Sequence, residues 1–136
     1  MVKAPVGYTG KPLIDKLGLK AGQTLAAIDA PKHYASLVKP LPAGAKLKSG
    51  ADATAAITHL FVTDTKALKA KVGALAKSLA PGAMLWISWP KKTSKLFVDL
   101  TEDGIRSIVL PTGWVDVKVA AVDEDWSGLK FLRRKA

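Results

Sequence analysis

The order of apolar and polar positions predicts a chain in which strands alternate with helices. Three mainly apolar runs are typical of strands buried on both faces, and they cover residues 24–30, 55–62 and 83–90. A helix is predicted from the cap residue Asp64 to Leu79, because apolar residues recur there on one helical face. Residues 45–47 predict at most a short edge strand, and further helical segments are predicted at residues 8–20, 32–38 and 101–110.

The last part of the chain predicts a β-hairpin. Residues 115–122 alternate in part, residues 123–128 form an acidic turn, and residues 129–134 continue as an edge strand with a basic tail. Strands that alternate with helices of this length are joined by parallel crossovers. We therefore expect one α/β domain over residues 1–136. Its predicted fold is three-layer and Rossmann-like, with a mainly parallel sheet and a C-terminal antiparallel β-hairpin.

Two resemblances agree with this architecture. Residues 79–87 and the terminal hairpin resemble the carboxyl half of class I methyltransferases. The chain also resembles a family of small bacterial proteins, the domain-of-unknown-function family numbered 3052. This likeness is carried by residues 7–13, 16–18, 99–102, 115–118 and 123–130, and by Leu85-Trp86-Ile87-Ser88-Trp89-Pro90-Lys91-Lys92. The resemblance implies a fold and no particular activity, and this chain lacks the glycines that members of that family often have after the first strand.

Composition excludes several classes of site. The chain has no cysteine, which excludes disulfides, zinc–thiolate sites, iron–sulfur clusters and thiol catalysis. Hydrophobic residues make up 49% and charged residues 24% of the 136 residues, as in an ordinary globular protein. The N-terminal residues lack the apolar core of a signal peptide, and no apolar run approaches the ~20 residues that span a bilayer. We expect a cytoplasmic protein without a membrane partner.

The net charge of +10 raises the question of an anionic partner. The excess of lysine lies in residues 1–95, whereas residues 96–136 are nearly balanced. Such a surplus attracts nucleic acid through charge, although a solvated lysine-rich surface explains the same composition. Eighteen of the 21 basic residues are lysine, which lacks the planar fork that arginine uses to recognise phosphate and guanine.

The carboxyl edge of the predicted sheet is the candidate site, because ligands of parallel sheets bind beyond the carboxyl ends of the strands. Lysines placed there attract an anion, and the N-terminus of the helix that follows Asp64 favours one as well. We therefore expect this edge to hold an anionic small molecule or an acidic protein. The residues predicted to gather there are Asp29, His33, Asp64, Ser88, Lys91, Lys92 and Asp123.

No motif defines a reaction or a cofactor. The turn after the first strand lacks the glycines of dinucleotide and S-adenosylmethionine (SAM) sites, and no acidic residue ends the weak second strand. His33 and His59 lack the spacing of metal ligands, and His59 is expected in the core. The leading hypothesis is a non-catalytic or regulatory module that binds its ligand at the carboxyl edge. The alternatives are a diverged SAM-dependent methyltransferase-like enzyme and nucleic-acid binding through charge.

Overall fold

A mixed six-stranded β-sheet lies at the centre of the molecule, of which a computed structural model describes residues 13–79 and 82–133. The first four strands are parallel, and the sixth is antiparallel to both the fourth and the fifth. The spatial order is β2-β1-β3-β4-β6-β5. The predicted α/β class and the C-terminal hairpin are confirmed. The sheet is mixed, because the hairpin adds two antiparallel pairings to the four parallel strands. The strands are β1 (Thr24–Ile28), β2 (Lys46–Ser49), β3 (Ile57–Phe61), β4 (Met84–Pro90), β5 (Trp114–Ala121) and β6 (Trp126–Arg133).

Helices cover both faces of this sheet. Within the described residues they are α1 (Leu13–Leu17), α2 (Tyr34–Leu37), α3 (Thr65–Ser78) and α4 (Glu102–Val109), followed by a 3₁₀ turn at Leu110–Thr112. None of the helices in that part of the chain is long and apolar enough to cross a membrane. The first helix was predicted over residues 8–20, of which residues 8–12 lie outside the described residues.

The two longer helices begin where the sequence supplies a cap. The Oδ1 atom of Asp64 accepts a hydrogen bond from the backbone N of Ala67 at 2.7 Å, ahead of α3. The Oγ1 atom of Thr101 accepts one from the backbone N of Gly104 at 3.1 Å, ahead of α4. Each cap satisfies a backbone donor that has no partner inside the helix, so the predicted helix starts are confirmed.

Each face of the sheet has its own apolar core. Helices α3 and α4 pack on one face through residues such as Leu68 and Ile105, and α1 and α2 contribute Leu17 and Tyr34 to the core on the other face. Trp86 and Trp89, three residues apart in β4, belong to opposite cores. Side chains alternate between the faces of a strand, so an odd spacing separates them in this way. The layers are therefore helix, sheet and helix.

The hairpin differs from the prediction in its boundary and in its place in the sheet. Strand β6 begins at Trp126, so residues 126–128 belong to the strand and not to the turn. Pairing with β4 causes this extension, because Trp126 lies opposite Pro90. Strand β6 is therefore an interior strand, and β5 forms the edge of the sheet. A register shift between Asp116 and Lys118 interrupts the pairing of β5 with β6, and such bulges protect an edge from pairing with other sheets.

Candidate functional site

A crevice opens at the carboxyl ends of β1 and β2, on the face of the sheet that α2 covers. From β1 the chain continues to β2 on one side and then returns to β3 on the other side, so the strand order reverses at β1. Open α/β sheets bind ligands beside such a reversal. This β1–β2 crevice has a volume of about 330 Å³, and its lining residues are Ala27, Asp29, Ala30, Pro31, Tyr34, Ala35, Leu47, Lys48 and Ser49.

The turn after β1 places Asp29 where a glycine is common. Asp29 has a φ of +57°, a left-handed conformation that is uncommon for residues other than glycine and that Asp and Asn tolerate best. Its Oδ2 atom lies 2.7 Å from the Nζ atom of Lys71 on α3. The ion pair joins the turn to α3, while more than half of the Asp29 side chain remains exposed. The turn thus has a left-handed backbone and an accessible carboxylate beside the crevice.

A buried chain of hydrogen bonds holds one wall of the crevice. The Tyr34 hydroxyl lies 2.8 Å from Nδ1 of His59, and Nε2 of the same ring lies 2.6 Å from Oγ of Ser88. Burial lowers the pKa of His59 to about 3 and raises the pKa of Tyr34, so both groups are neutral at pH 7. A neutral imidazole has one donor and one acceptor nitrogen, and here each nitrogen has a hydroxyl partner. The chain fixes Tyr34, and with it α2, against the sheet.

His33 and Asp123 connect two loops across the carboxyl edge. Nε2 of His33 lies 2.7 Å from Oδ2 of Asp123. His33 follows β1 and Asp123 precedes β6, and three strand spacings, about 14 Å, separate these two strands. The other carboxylate oxygen, Oδ1, accepts hydrogen bonds from the backbone N atoms of Asp125 and Trp126. The contact therefore joins the turn after β1 to the hairpin turn, over the ends of β3 and β4.

A second crevice opens at the carboxyl end of β4. It lies between β4, the start of β6 and the first turn of α4, and it has a volume of about 410 Å³. Lysines that follow β4 and carboxylates that begin α4 both contribute to it, so its charge is mixed. This β4–α4 crevice is lined by Trp89, Lys91, Lys92, Leu100, Thr101, Glu102, Asp103 and Ser127.

The residues predicted to gather at this edge lie in different environments. Asp29 lines the β1–β2 crevice, whereas Lys91 and Lys92 line the β4–α4 crevice. Asp64 uses one carboxylate oxygen to cap α3, and the Ser88 side chain is fully buried. In the described part of the chain, the predicted residues are thus divided between the two crevices and other environments.

Sequence reasoning missed Tyr34 and the contribution of β2. Strand β2 is short and mostly exposed, so its sequence barely indicates a strand. Tyr34 offered one usable signal, because it is the aromatic residue that follows β1 within an otherwise polar or small segment. Among the residues that the structure describes, no group of three or more His, Cys, Asp or Glu side chains is arranged to hold a metal ion.

Comparison with solved structures finds methyltransferases among the similar folds. A SAM-dependent methyltransferase from Aquifex aeolicus is similar with a TM-score of 0.63 and 14% identity, over 92% of this chain and 89% of that chain. The N-methyltransferase NodS from Bradyrhizobium japonicum WM9 gives 0.55 and 11%, over 90% and 93%. Magnesium protoporphyrin IX methyltransferase from Synechocystis PCC 6803, with bound SAM, gives 0.58 and 11%, over 89% and 76%. No protein-family model and no curated protein matches the sequence.

These comparisons correct the leading hypothesis from the sequence. A non-catalytic or regulatory module was expected, but the similar structures include methyltransferases, one of them SAM-dependent and another with bound SAM, which favours the methyltransferase-like alternative. Identities of 8–14% among the similar structures relate the folds and do not by themselves transfer an activity. The chain has a Rossmann-like fold similar to that of class I methyltransferases.

Proposed function

We propose that this chain is a diverged SAM-dependent methyltransferase whose cofactor binds in the β1–β2 crevice. The observation that carries the proposal is the position of that crevice, at the carboxyl ends of the parallel strands β1 and β2 and beside the reversal of strand order between β1 and β3. The similarity of the fold to SAM-dependent methyltransferases supports the same assignment. Membership of the family numbered 3052 is a separate proposal, which rests on the sequence segments given above.

The residues of the β1–β2 crevice fit an adenosyl group. Ala30, Pro31 and Leu47 offer apolar surface to a purine ring, and Asp29 and Ser49 offer oxygen atoms to ribose hydroxyls. The missing glycines do not prevent close approach of a ligand, because Asp29 itself adopts the left-handed backbone and the residue after it is small. A volume of about 330 Å³ lies within the usual range for small-molecule sites.

The side chains at this edge have distinct roles in the proposed reaction. When bound, SAM supplies an electrophilic methyl group for transfer to a nucleophilic atom of a second substrate. Tyr34, held by His59, shapes the cofactor wall, and Asp29, held by Lys71, presents its carboxylate to hydroxyl groups. His33, oriented by Asp123, lies at the same edge, and its imidazole would accept a proton from the nucleophile.

The β4–α4 crevice is the proposed site of the methyl acceptor. It opens at the same edge of the sheet, but on the opposite face from the β1–β2 crevice. The strands β1 and β4, which border the two crevices, are two strand spacings, about 10 Å, apart. Trp89 and Leu100 give it apolar surface, while Lys92 and Glu102 give it charges of both signs. An acceptor with an apolar body and charged substituents fits this lining.

Isothermal titration calorimetry with SAM and with S-adenosylhomocysteine tests the cofactor site. We expect both compounds to bind the wild-type protein, and we expect Ala30→Phe to abolish binding because the added ring fills the crevice. Ala53→Phe is the matched control, since Ala53 is exposed in the connection between β2 and β3 and does not line the crevice. Circular dichroism verifies that both variants fold.

The outcomes test separately whether the cofactor binds and whether it binds in the β1–β2 crevice. Binding to the wild-type protein and to Ala53→Phe, with loss in Ala30→Phe, supports the proposal. If the folded wild-type protein binds neither compound at millimolar concentration, the proposed function is wrong. If Ala30→Phe binds as tightly as the wild type does, the cofactor does not occupy the β1–β2 crevice.

A further inference from the structure

The acidic side chains of this protein are concentrated at the carboxyl edge of the sheet, where lysines lie as well. Strands β1 to β4 end at the carboxyl edge, and most of the acidic side chains lie in the loops and helix starts there. Eight of the eleven acidic residues belong to this group: Asp29, Asp64, Asp99, Glu102, Asp103, Asp123, Glu124 and Asp125. The net charge of +10 is therefore spread unevenly over the surface.

In the part of the chain that the structure describes, four cationic residues are placed at the opposite edge, termed the amino edge, where β1 to β4 begin. Lys46 is the first residue of β2, and Lys20 lies in the turn that leads into β1. Lys77 lies in the last turn of α3, which runs back toward this edge, and Arg133 is the last residue of β6. Strands β2 and β6 are four spacings apart, so the cations extend over about 19 Å.

Hydrogen bonds place these residues in two pairs. The backbone N of Lys46 donates to the carbonyl O of Gln23 at 3.0 Å, and the backbone N of Lys20 donates to Oε1 of Gln23 at 2.9 Å. On the other side, Nη1 of Arg133 donates to the carbonyl O of Leu79, two residues beyond Lys77, at 2.7 Å. The two pairs thus lie at the two ends of the amino edge.

The lysines of the amino edge are not neutralised by the described carboxylates. Lys20, Lys46 and Lys77 are exposed, and none of them forms an ion pair with an acidic residue in the part of the chain that the structure describes. The dipole of α3 favours a lysine at its last turn, which accounts for Lys77. It does not account for Lys20 or Lys46, which belong to no helix.

We infer that the amino edge binds the phosphodiester backbone of a nucleic-acid strand, on the side of the sheet away from the proposed methyl-transfer site. Two pairs of cations about 19 Å apart along one edge match a linear polyanion, whose charges repeat along a line. Lysine ammonium groups contact phosphates as point charges and do not read bases as an arginine fork does. The binding is therefore independent of base sequence and weakens as the salt concentration rises.

Fluorescence anisotropy with labelled single-stranded RNA and DNA of mixed sequence tests this inference. Two triple variants of the full chain are compared. The amino-edge variant carries Lys20→Glu, Lys46→Glu and Lys77→Glu, and the carboxyl-edge control carries Lys32→Glu, Lys66→Glu and Lys95→Glu, which are also exposed lysines. Each Lys→Glu change replaces one positive charge with one negative charge, so both triple variants lower the net charge of +10 by six. Circular dichroism verifies folding, and triple Lys→Gln versions repeat the contrast with half the change in charge.

We expect the wild type and the carboxyl-edge control to bind, and the amino-edge variant to bind at least about tenfold more weakly. The slope of log Kd against log salt concentration should fall by about 2 in that variant, since each phosphate contact with a single strand contributes about 0.7. The RNA and DNA arms show which strand the edge prefers, and either preference supports the inference. Equal weakening in both variants would mean that only the total charge matters and would overturn it. The inference is also overturned if the wild type binds neither strand, whether or not it binds phosphatidylserine vesicles. None of these results depends on whether SAM binds.

Discussion

Protonation of His59 should lower the stability of this fold in acid. The imidazole is fully buried, and its two nitrogens lie 2.8 and 2.6 Å from the hydroxyl oxygens of Tyr34 and Ser88. Burial lowers its pKa from 6.5 to about 3. Between these two values the unfolded chain binds a proton that the folded protein does not bind. The free energy of unfolding therefore falls as the pH falls through this window.

The size of the effect follows from the same pKa values. Within the window the slope approaches about 1.4 kcal/mol per pH unit, and from pH 7 to pH 4.5 the loss through His59 is about 2.5 kcal/mol. His59→Gln removes this titration. At pH 7 the variant should be less stable than the wild type by about 1–3 kcal/mol, because one buried hydroxyl loses its partner.

Urea denaturation followed by tryptophan fluorescence, at pH 7 and at pH 4.5, measures both effects. The wild type should lose about 2.5 kcal/mol more than His59→Gln on acidification. Carboxylates common to both proteins cancel in this difference. An equal loss in the two proteins would refute the reasoning, since it would mean that His59 titrates alike in the folded and unfolded chains.

Three further substitutions test the packing and the helix starts. Asp64→Ala should cost about 1 kcal/mol in urea denaturation, because the cap on the backbone N of Ala67 is lost, whereas Asp64→Asn should retain most of the stability. Gly128→Ala should destabilise the protein by about 1–3 kcal/mol, because a Cβ atom there meets Cε3 of Trp86 at 3.2 Å; a stability equal to that of the wild type would contradict this packing. Gly73→Ala should raise the midpoint of thermal unfolding, with a gain of about 0.5–1 kcal/mol, since Gly73 lies inside α3 with open space around it; a lower midpoint would show that the helix needs the glycine.

Much of the fold was predictable because local patterns decide it. The apolar spacing after Asp64 and the capping side chain specify α3, and the apolar run that ends at Pro90 specifies β4. The hairpin was predicted, but its turn was predicted to extend to residue 128, three residues too far. Its true boundary depends on the pairing of Trp126 with Pro90, which lie far apart in sequence.

The candidate site was predictable only in part. The carboxyl edge of the sheet was expected from the order of the elements, and Asp29, Lys91 and Lys92 do line crevices there. Tyr34 was missed, because its role depends on His59, which lies 25 residues away in sequence.

Most of the helices and strands, the exclusion of thiol chemistry and the surplus of positive charge follow from the amino-acid sequence alone. These properties depend on composition and on spacings of a few residues. Only the three-dimensional arrangement shows that the polar segment Lys46–Ser49 pairs as a strand beside β1, that His33 contacts Asp123, and that most acidic side chains gather at the carboxyl edge. The reason is that strand order and register bring distant residues together, and no local pattern in the chain records those long-range contacts.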